Sequence, residues 1–212
     1  LTIKLVPEND RYEVRMLGTM MTPGYVGHDS SDLFDDEGFL KIGDYAAFIK
    51  HNDISRGLKF AGRLAEEFKL ANGTWVSGGT LRALLIQTLS PLISDTVICG
   101  VNAEYLAVLV WLNRGTAERY FKRSLPTTSE DLACDMELRS WIVEKLGEYN
   151  DRNPSSSRRI KRIGFLIEPP SIDGHEISDK GTVNQSVTLL RRASDVVRLY
   201  SEVPDNFVIT LD

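Results

Sequence analysis

Residues 95–113, DTVICGVNAEYLAVLVWLN, decide how the chain is built. Two apolar, β-branched runs flank the polar NAE, and the simplest arrangement is a pair of adjacent strands. Cys99 lies inside the first run and reads as a small core residue. Upstream, Leu81, Leu84, Leu85, Thr88, Leu89 and Leu92 recur at helical spacing, with SGG just ahead and Pro91 near the end, which predicts a helix. Downstream, Ser129 is placed to cap a long helical stretch in which Leu138, Trp141, Ile142, Leu146 and Tyr149 share one face. NDRNPSSS (150–157) then reads as a loop, RIGFLIEPP (162–170) as a strand stopped by two prolines, and SIDGHEISDKG (171–181) as a polar loop. Val187, Leu190, Ala193, Val197 and Tyr200 mark one face of a final amphipathic helix.

Before residue 62 the character is different. TIKLVP (2–7) and YEVRML (12–17) flank ENDR (8–11), whose Asn and Asp suit a tight turn, so the pair reads as a hairpin. FLKIGDYAAFI (39–49) and LKFAGR (58–63) read as further strands around a loop containing HNDISRG (51–57). The whole order predicts an α+β class: a small β-rich N-terminal segment, residues 1–62, and a compact α+β domain, residues 63–212. In the latter, helices are expected on one face of a small mixed sheet.

Composition sets bounds. A chain of 212 residues, 42% of them hydrophobic, has ample material for a packed core. The formal net charge of -5 argues against wholesale binding to nucleic acid or acidic membranes, which needs clustered positive charge. Cys99 and Cys134 are far apart, with no CxxC and no zinc-ligand spacing, so reduced thiols in a cytoplasmic setting are expected and no metal site. No apolar run approaches the roughly 20 residues that cross a bilayer. The chain opens at LTIKLVP, in mid-strand and without a methionine, which reads as the continuation of something longer.

Four stretches are not explained by core formation: TPGY (22–25), KIGDYA (41–46), GRLAEEFKLANG (62–73) and EISDKGTVNQ (176–185). Each combines glycine with charged or hydroxyl side chains at an expected strand end or loop, where binding residues usually sit. Taken singly each has a plain alternative. Gly43-Asp44 suits a strand-ending turn, Arg63 a solvated surface position, and Lys180 an exposed turn.

In combination and in this order they resemble the adenylate-forming enzymes, the acyl-CoA synthetases and their relatives. TPGYVGHDSSDLFDDEGFLKIGDYAAF is similar to that family's GYxxxPxxTxxxFxxxGxxxTGD segment, and GRLAEEFKLANGTWVS to the GRxKxxFKLxxGEYVxP string of its long-chain branch. EISDKGTVNQSVTLLRR, followed by LY, resembles the feruloyl-CoA synthase subgroup. The resemblance covers nearly the whole chain and implies the end of a large N-terminal domain followed by a small C-terminal lid domain. It also implies an enzyme that makes an acyl-adenylate from ATP and a carboxylic acid, then passes the acyl group to coenzyme A. Magnesium would be held by upstream motifs, and this portion alone would be inactive.

Roles follow residue by residue from the resemblance. Asp44 corresponds to the carboxylate that accepts hydrogen bonds from both ribose hydroxyls of ATP, and Arg63 to the arginine near the ribose and α-phosphate. Gly73 matches the glycine-bearing loop near the pantetheine tunnel, and Lys69 lies in the FKLANG face offered to coenzyme A. A glycine needed only for a tight turn explains Gly73 equally well. Two positions depart from the pattern. The hinge residue, commonly Asp or Lys, is Ala65 here: either Glu66 takes over the polar role, or a bare small residue absorbs the backbone rotation. The lysine of the family's terminal motif falls on Thr182 by count, and Lys180, two residues earlier, is expected to carry its role.

Other candidates rank lower. Arg158, Arg159, Lys161 and Arg162 suit a charged loop leading to an edge strand as well as the phosphates of coenzyme A. Trp75 suits either a pantetheine contact or an anchor for the lid, and His28, His51 and His175 receive no role. The competing expectation is a non-catalytic interaction module that keeps the fold, with Ala65 and the displaced lysine in its favour.

Overall fold

The structure is a computed structural model and describes residues 1–8, 11–25, 30, 32–51 and 53–211. Asn9 and Asp10 of the expected turn, and His28, lie outside the described residues. The chain divides into two compact units, Leu1–Glu67 and Phe68–Asp212.

The first unit is a four-stranded antiparallel sheet in the order β1-β2-β3-β4, with β1 at Thr2–Glu8, β2 at Arg11–Leu17, β3 at Leu40–Phe48 and β4 at Leu58–Arg63. The expected hairpin is β1 and β2, paired from Thr2 with Leu17 to Glu8 with Arg11. The described residues of the HNDISRG loop include a 3-10 turn, Ile54–Arg56, capped by the Asp53 side chain. Few residues are buried, and Tyr45 is the largest of them at 1% exposure. Its hydroxyl donates to Glu8 (2.8 Å), and burial together with that carboxylate pushes its pKa up to about 12. The Arg11 guanidinium lies 3.8 Å from the centre of the Tyr45 ring and forms a two-pronged ion pair with Glu67. Polar staples hold the other end of the sheet. Asp35 accepts from Lys4 (2.9 Å) and Arg15 (3.1 Å), and these cations and nearby backbone amides hold its pKa well below the usual range.

The second unit begins with a short ribbon, β5 (Glu67–Lys69) against β6 (Trp75–Ser77), then α1 (Gly78–Thr88), β7 (Ile93–Cys99) and β8 (Leu106–Leu112). Helices α2 (Arg114–Phe121), α3 (Ser129–Cys134) and α4 (Met136–Arg152) carry the chain to β9 (Ile160–Leu166). Two short helices, α5 (Gln185–Arg191) and α6 (Ala193–Leu199), precede β10 (Val208–Thr210). The sheet order is β10-β9-β8-β7, and it is mixed: β8 and β9 run parallel, the other neighbours antiparallel.

The α+β class and the mixed sheet agree with the sequence. The expectation of helices on one face does not hold. Side chains alternate across a strand, and here both sets are covered. Ile98, Val108, Val110, Ile163 and Phe165 join one core with Leu85 of α1 and Leu138, Ile142 and Leu146 of α4. Val97, Cys99, Ala107, Leu109 and Trp111 join a second with Leu199, while Leu189 and Val196 pack against it. Burial on both faces is what an unbroken apolar run such as YLAVLVWL requires. Each fully buried Leu or Ile contributes about 1.5–3 kcal/mol over leaving it exposed. Burial also pushes the Cys99 thiol up to about 12, which leaves it an inert core group.

Several expectations are corrected. The cap of the middle stretch is Thr128, not Ser129, and the stretch is two helices: Asp135 ends α3 and caps α4 by accepting from the Leu138 amide (3.0 Å). NDR belongs to α4, so the loop starts at Asn153. The final helix is likewise two, separated at Arg192, and Leu190 and Val197 are 79% and 70% exposed rather than inward. The fully buried positions are Thr188 and Leu199, with Leu189 and Val196 packed beside them against the core. Finally, β9 is internal, between β8 and β10, so the basic residues 158–162 do not lead to a sheet edge.

Candidate functional site

In the first unit, β3 and β4 bring Asp44 and Arg63 together as directly opposed partners. Gly43 just before Asp44 has φ +73, and β3 slips register against β4 between Tyr45 and Ala46. A glycine adopts that left-handed geometry without the cost a Cβ imposes, so the strand can kink next to the carboxylate. Arg63 Nε donates to Asp44 Oδ1 at 3.1 Å. Both side chains stay accessible, 51% for Arg63 and 32% for Asp44. An ionised acceptor and a planar donor fork thus stand side by side, a combination suited to vicinal hydroxyls next to a phosphate. TPGY is a local turn: the Thr22 hydroxyl donates to Gly24 O (2.6 Å) and accepts from the Gly24 amide. Ala65 and Glu66 lie in a 3-10 turn, Leu64–Glu66, directly after Arg63.

In the second unit, Lys69 is exposed on β5, and its ammonium lies 4.6 Å from the centre of the Trp75 ring on β6, a cation–π contact. The loop between them turns at Gly73, whose amide donates to Leu70 O at 2.9 Å. Gly73 has φ +82, and a Cβ there would meet nothing within 4 Å. The turn therefore accounts for this glycine, and within the unit no close approach requires it. Trp75 is 51% exposed, so it is not a buried anchor.

Lys180 occupies the tip of a tight turn. The Gly181 amide donates to Ser178 O (2.8 Å), the Ser178 amide to Thr182 O (2.9 Å), and Ile177 bridges Val183. Gly181 takes φ +75. The Ser178 and Thr182 hydroxyls are 2.8 Å apart, so Thr182, the position reached by motif counting, is occupied within the turn while Lys180 is exposed.

Sequence reasoning missed what holds this turn. Glu176 is fully buried; its carboxylate accepts from Arg192 Nε (3.0 Å) and Nη2 (3.1 Å) and from the Ser171 amide (2.7 Å). Burial opposes its ionised form, but Arg192 and the Ser171 amide outweigh it, and the pKa is lowered. Asn184 caps α5 by accepting from the Val187 amide. Gln185 Oε1 accepts from the Ile98 amide (2.9 Å) and its Nε2 donates to Thr96 O (3.0 Å), covering the outer edge of β7 as a strand would. The motif itself was visible, but nothing in it distinguished the anchoring Glu176, Asn184 and Gln185 from the presented Lys180.

His51 and His175 are exposed loop residues. Among the described residues no group of three or more His, Cys, Asp and Glu side chains is placed to hold a metal ion. No helix among them is long and apolar enough to cross a membrane.

No protein-family profile matches the chain, and no curated protein is significantly similar to it in sequence. Solved structures do match. The adenylation domain of a carboxylate reductase from Mycobacterium chelonae superposes with a TM-score of 0.70 at 24% identity, over 94% of this chain and 31% of that one. The adenylation domain of a carboxylic acid reductase from Segniliparus rugosus, solved with AMP and a co-purified carboxylic acid, gives 0.72 at 19% identity, over 94% and 31%. An anthranilate CoA ligase in complex with anthranoyl-AMP gives 0.58 at 18%, over 92% and 33%. The chain therefore spans about a third of the length of the structures it resembles, and it shares the fold of that part of adenylation domains and acid-CoA ligases.

Proposed function

We propose that this chain is the C-terminal part of an adenylate-forming enzyme that activates a carboxylic acid with ATP and hands the acyl group to a thiol. The observation that carries the proposal is the accessible Asp44–Arg63 pair, set on opposed strands in a fold shared with adenylation domains. Residues 1–62 would form the distal part of a large nucleotide-binding domain, and residues 63–212 the lid.

In the first half-reaction a carboxylate oxygen attacks the α-phosphorus of ATP, the bond to the β-phosphate oxygen breaks, and pyrophosphate leaves. Asp44 accepts the ribose hydroxyls and fixes the nucleotide, and Arg63 places positive charge beside the α-phosphate. Negative charge crowds around one phosphorus, so an ammonium delivered there stabilises the transition state more than the separated reactants. Lys180, exposed at the tip of a hydrogen-bonded turn, is the ammonium we assign to that delivery. In the second half-reaction the lid rotates about the segment containing Ala65 and Glu66, withdraws Lys180, and presents Lys69 and the Gly73 loop to coenzyme A. The thiol then attacks the acyl carbonyl and AMP departs. Magnesium and the acid are held by the N-terminal part, in a cytoplasmic enzyme; the feruloyl-CoA synthase likeness of the tail and the aromatic acid of the anthranilate ligase favour an aromatic acid such as ferulate.

A second acceptor deserves a test. TM-scores are higher to carboxylate reductase adenylation domains, one solved as a didomain with its PCP, than to the two coenzyme A ligases, 0.70–0.72 against 0.58 and 0.54. That favours a carrier-domain thiol in place of coenzyme A.

The test is carboxylate-dependent exchange of pyrophosphate into ATP by the full-length protein. Exchange that falls in Asp44→Asn supports the proposal, and the 212-residue chain alone should show none. Full-length protein that binds no ATP and exchanges none would establish the non-catalytic module instead. Release of AMP on adding coenzyme A or a carrier domain distinguishes the two acceptors.

A further inference from the structure

The turn that displays Lys180 is closed within itself and gripped from outside at two places. Its closure is local: Ile177 bridges Val183, the Asn184 amide donates to Glu176 O (2.8 Å), and the Ser178 amide donates to Thr182 O across the tip. One outside grip is the buried Glu176–Arg192 pair. Arg192 also donates to Glu168 Oε2 (3.0 Å) and Pro169 O (3.3 Å), in the segment after β9. The other grip is Gln185, the first residue of α5, whose carboxamide spans Thr96 O (3.0 Å) and the Ile98 amide (2.9 Å) on β7. β7 is an outer strand of the sheet, and the carboxamide pairs with it on its open side. A closed turn held at one point can pivot, whereas two separated holds fix its direction. Losing the Gln185 grip would therefore leave the turn formed but free to swing about the Glu176 pair. A carboxamide suits this task because it presents an acceptor and a donor in one plane. Glutamate at that position could accept from the Ile98 amide but could not donate to Thr96 O.

We propose that Gln185 is a positioning residue for adenylation: by clipping the base of the lysine turn to β7, it sets the direction in which Lys180 is presented to the α-phosphate. This rests on the role assigned to Lys180 above and adds a residue that touches no substrate. The competing role for Gln185 is edge protection, in which the carboxamide only covers the open side of β7. Edge protection would leave the chemistry indifferent to its loss. Positioning makes the chemistry depend on Gln185 through Lys180, and only in the half-reaction that uses Lys180.

Two assays on the full-length protein test it: pyrophosphate exchange for adenylation, and AMP release from preformed acyl-adenylate by the thiol acceptor for the second half-reaction. Gln185→Ala and Gln185→Glu should each slow exchange about 10²-fold, the cost of misplacing a catalytic group by roughly 1 Å. The loss should fall on kcat, with the KM for ATP and the AMP-release step unchanged. In a Lys180→Ala background, Gln185→Ala should cause no further loss, as for residues that act as one unit. Arg82→Ala is the control for a loosened strand, because it cuts a different tie to β7, from Arg82 Nε to Asp95 Oδ1 at 2.8 Å. It should leave exchange unchanged. Both Gln185 variants should still melt cooperatively, since the turn's own bonds and the Glu176 pair remain; a Gln185→Ala protein that does not fold would make the carboxamide structural and overturn the proposal. So would equal losses in Gln185→Ala and Arg82→Ala, an undiminished further loss in the Lys180→Ala background, or equal slowing of both half-reactions. Exchange that falls in Lys180→Ala but not in Gln185→Ala refutes the positioning role alone. Normal exchange in Lys180→Ala refutes the role assigned to the lysine, and the positioning role with it.

Discussion

Two of the molecule's arginine–carboxylate pairs have the same chemistry and opposite consequences. Arg192 reaches Glu176 at 3.0 Å and Arg63 reaches Asp44 at 3.1 Å, yet the first pair is 14% and 0% exposed while the second is 51% and 32% exposed. A buried pair whose partners are fully hydrogen-bonded fixes a conformation, because breaking it strands a charge away from water. An accessible pair contributes little to stability and remains open to a ligand. Distance alone does not separate an anchor from a binding group; solvent access does.

The largest expected effect comes from breaking the anchor. Glu176→Ala leaves Arg192 without its main partner and frees the Ser171 amide, so the loss should be about 3–5 kcal/mol in urea unfolding. A pH titration sharpens this. The folded-state pKa of Glu176 is lowered, so the pair's contribution is complete above the unfolded value of about 4.3 and is lost as pH falls through the lower folded value. The wild-type unfolding midpoint should drop across that acid range more steeply than that of Glu176→Ala. If both curves run parallel, the pair is not the anchor described.

Next is the residue that the anchor presents. On the proposed function, Lys180→Ala in the full-length protein should slow adenylation about 10²–10³-fold, the usual cost of one lost transition-state contact. It should leave the unfolding midpoint of the chain within about 0.5 kcal/mol, since the side chain is exposed. Pyrophosphate exchange and urea unfolding on the same variant check both halves. A variant that unfolds early would mean that Lys180 supports the turn rather than serving the reaction. Asp44→Asn follows, with ATP binding weakened about 10–100-fold as the ribose loses a charged acceptor. That is read as a rise in the KM for ATP at little change in stability.

Much of the fold was legible because it rests on periodicities that survive burial. The strands β7 and β8 and the helix α1 follow from runs of Val, Ile and Leu at spacings of two and of three to four. Errors arose where a local pattern had competing solutions. Leu190 and Val197 fit a helical face, but Arg192 turns toward Glu176, the helix breaks there, and the buried positions become Thr188 and Leu199. Ser129 looked like a cap, yet Thr128 lies one residue earlier and its hydroxyl accepts from the Asp131 amide. The helix α2 offered no pattern to find, with Ala117 its single buried residue, and β10 is three residues long. At the candidate site, the motifs singled out the stretches, but nothing in them said that Asp44 and Arg63 are opposed strand partners. Which residue in a polar stretch anchors and which is displayed depends on burial, and that is set by distant segments such as the one carrying Arg192.

The smallest effect is the one that bears most directly on the contrast between the pairs. Arg63→Ala removes a cation from an exposed partner, so water rehydrates Asp44 and the unfolding free energy should change by about 0–1 kcal/mol. Raising the salt concentration should shrink even that difference, because exposed charges are screened within roughly 10 Å at 0.1 M. The buried pair should resist the same salt. Measuring Arg63→Ala and Glu176→Ala side by side at low and high salt therefore separates the two by kind as well as by size. If Arg63→Ala cost as much as Glu176→Ala, Asp44 and Arg63 would be structural, and the accessible acceptor on which the proposed nucleotide binding rests would be lost.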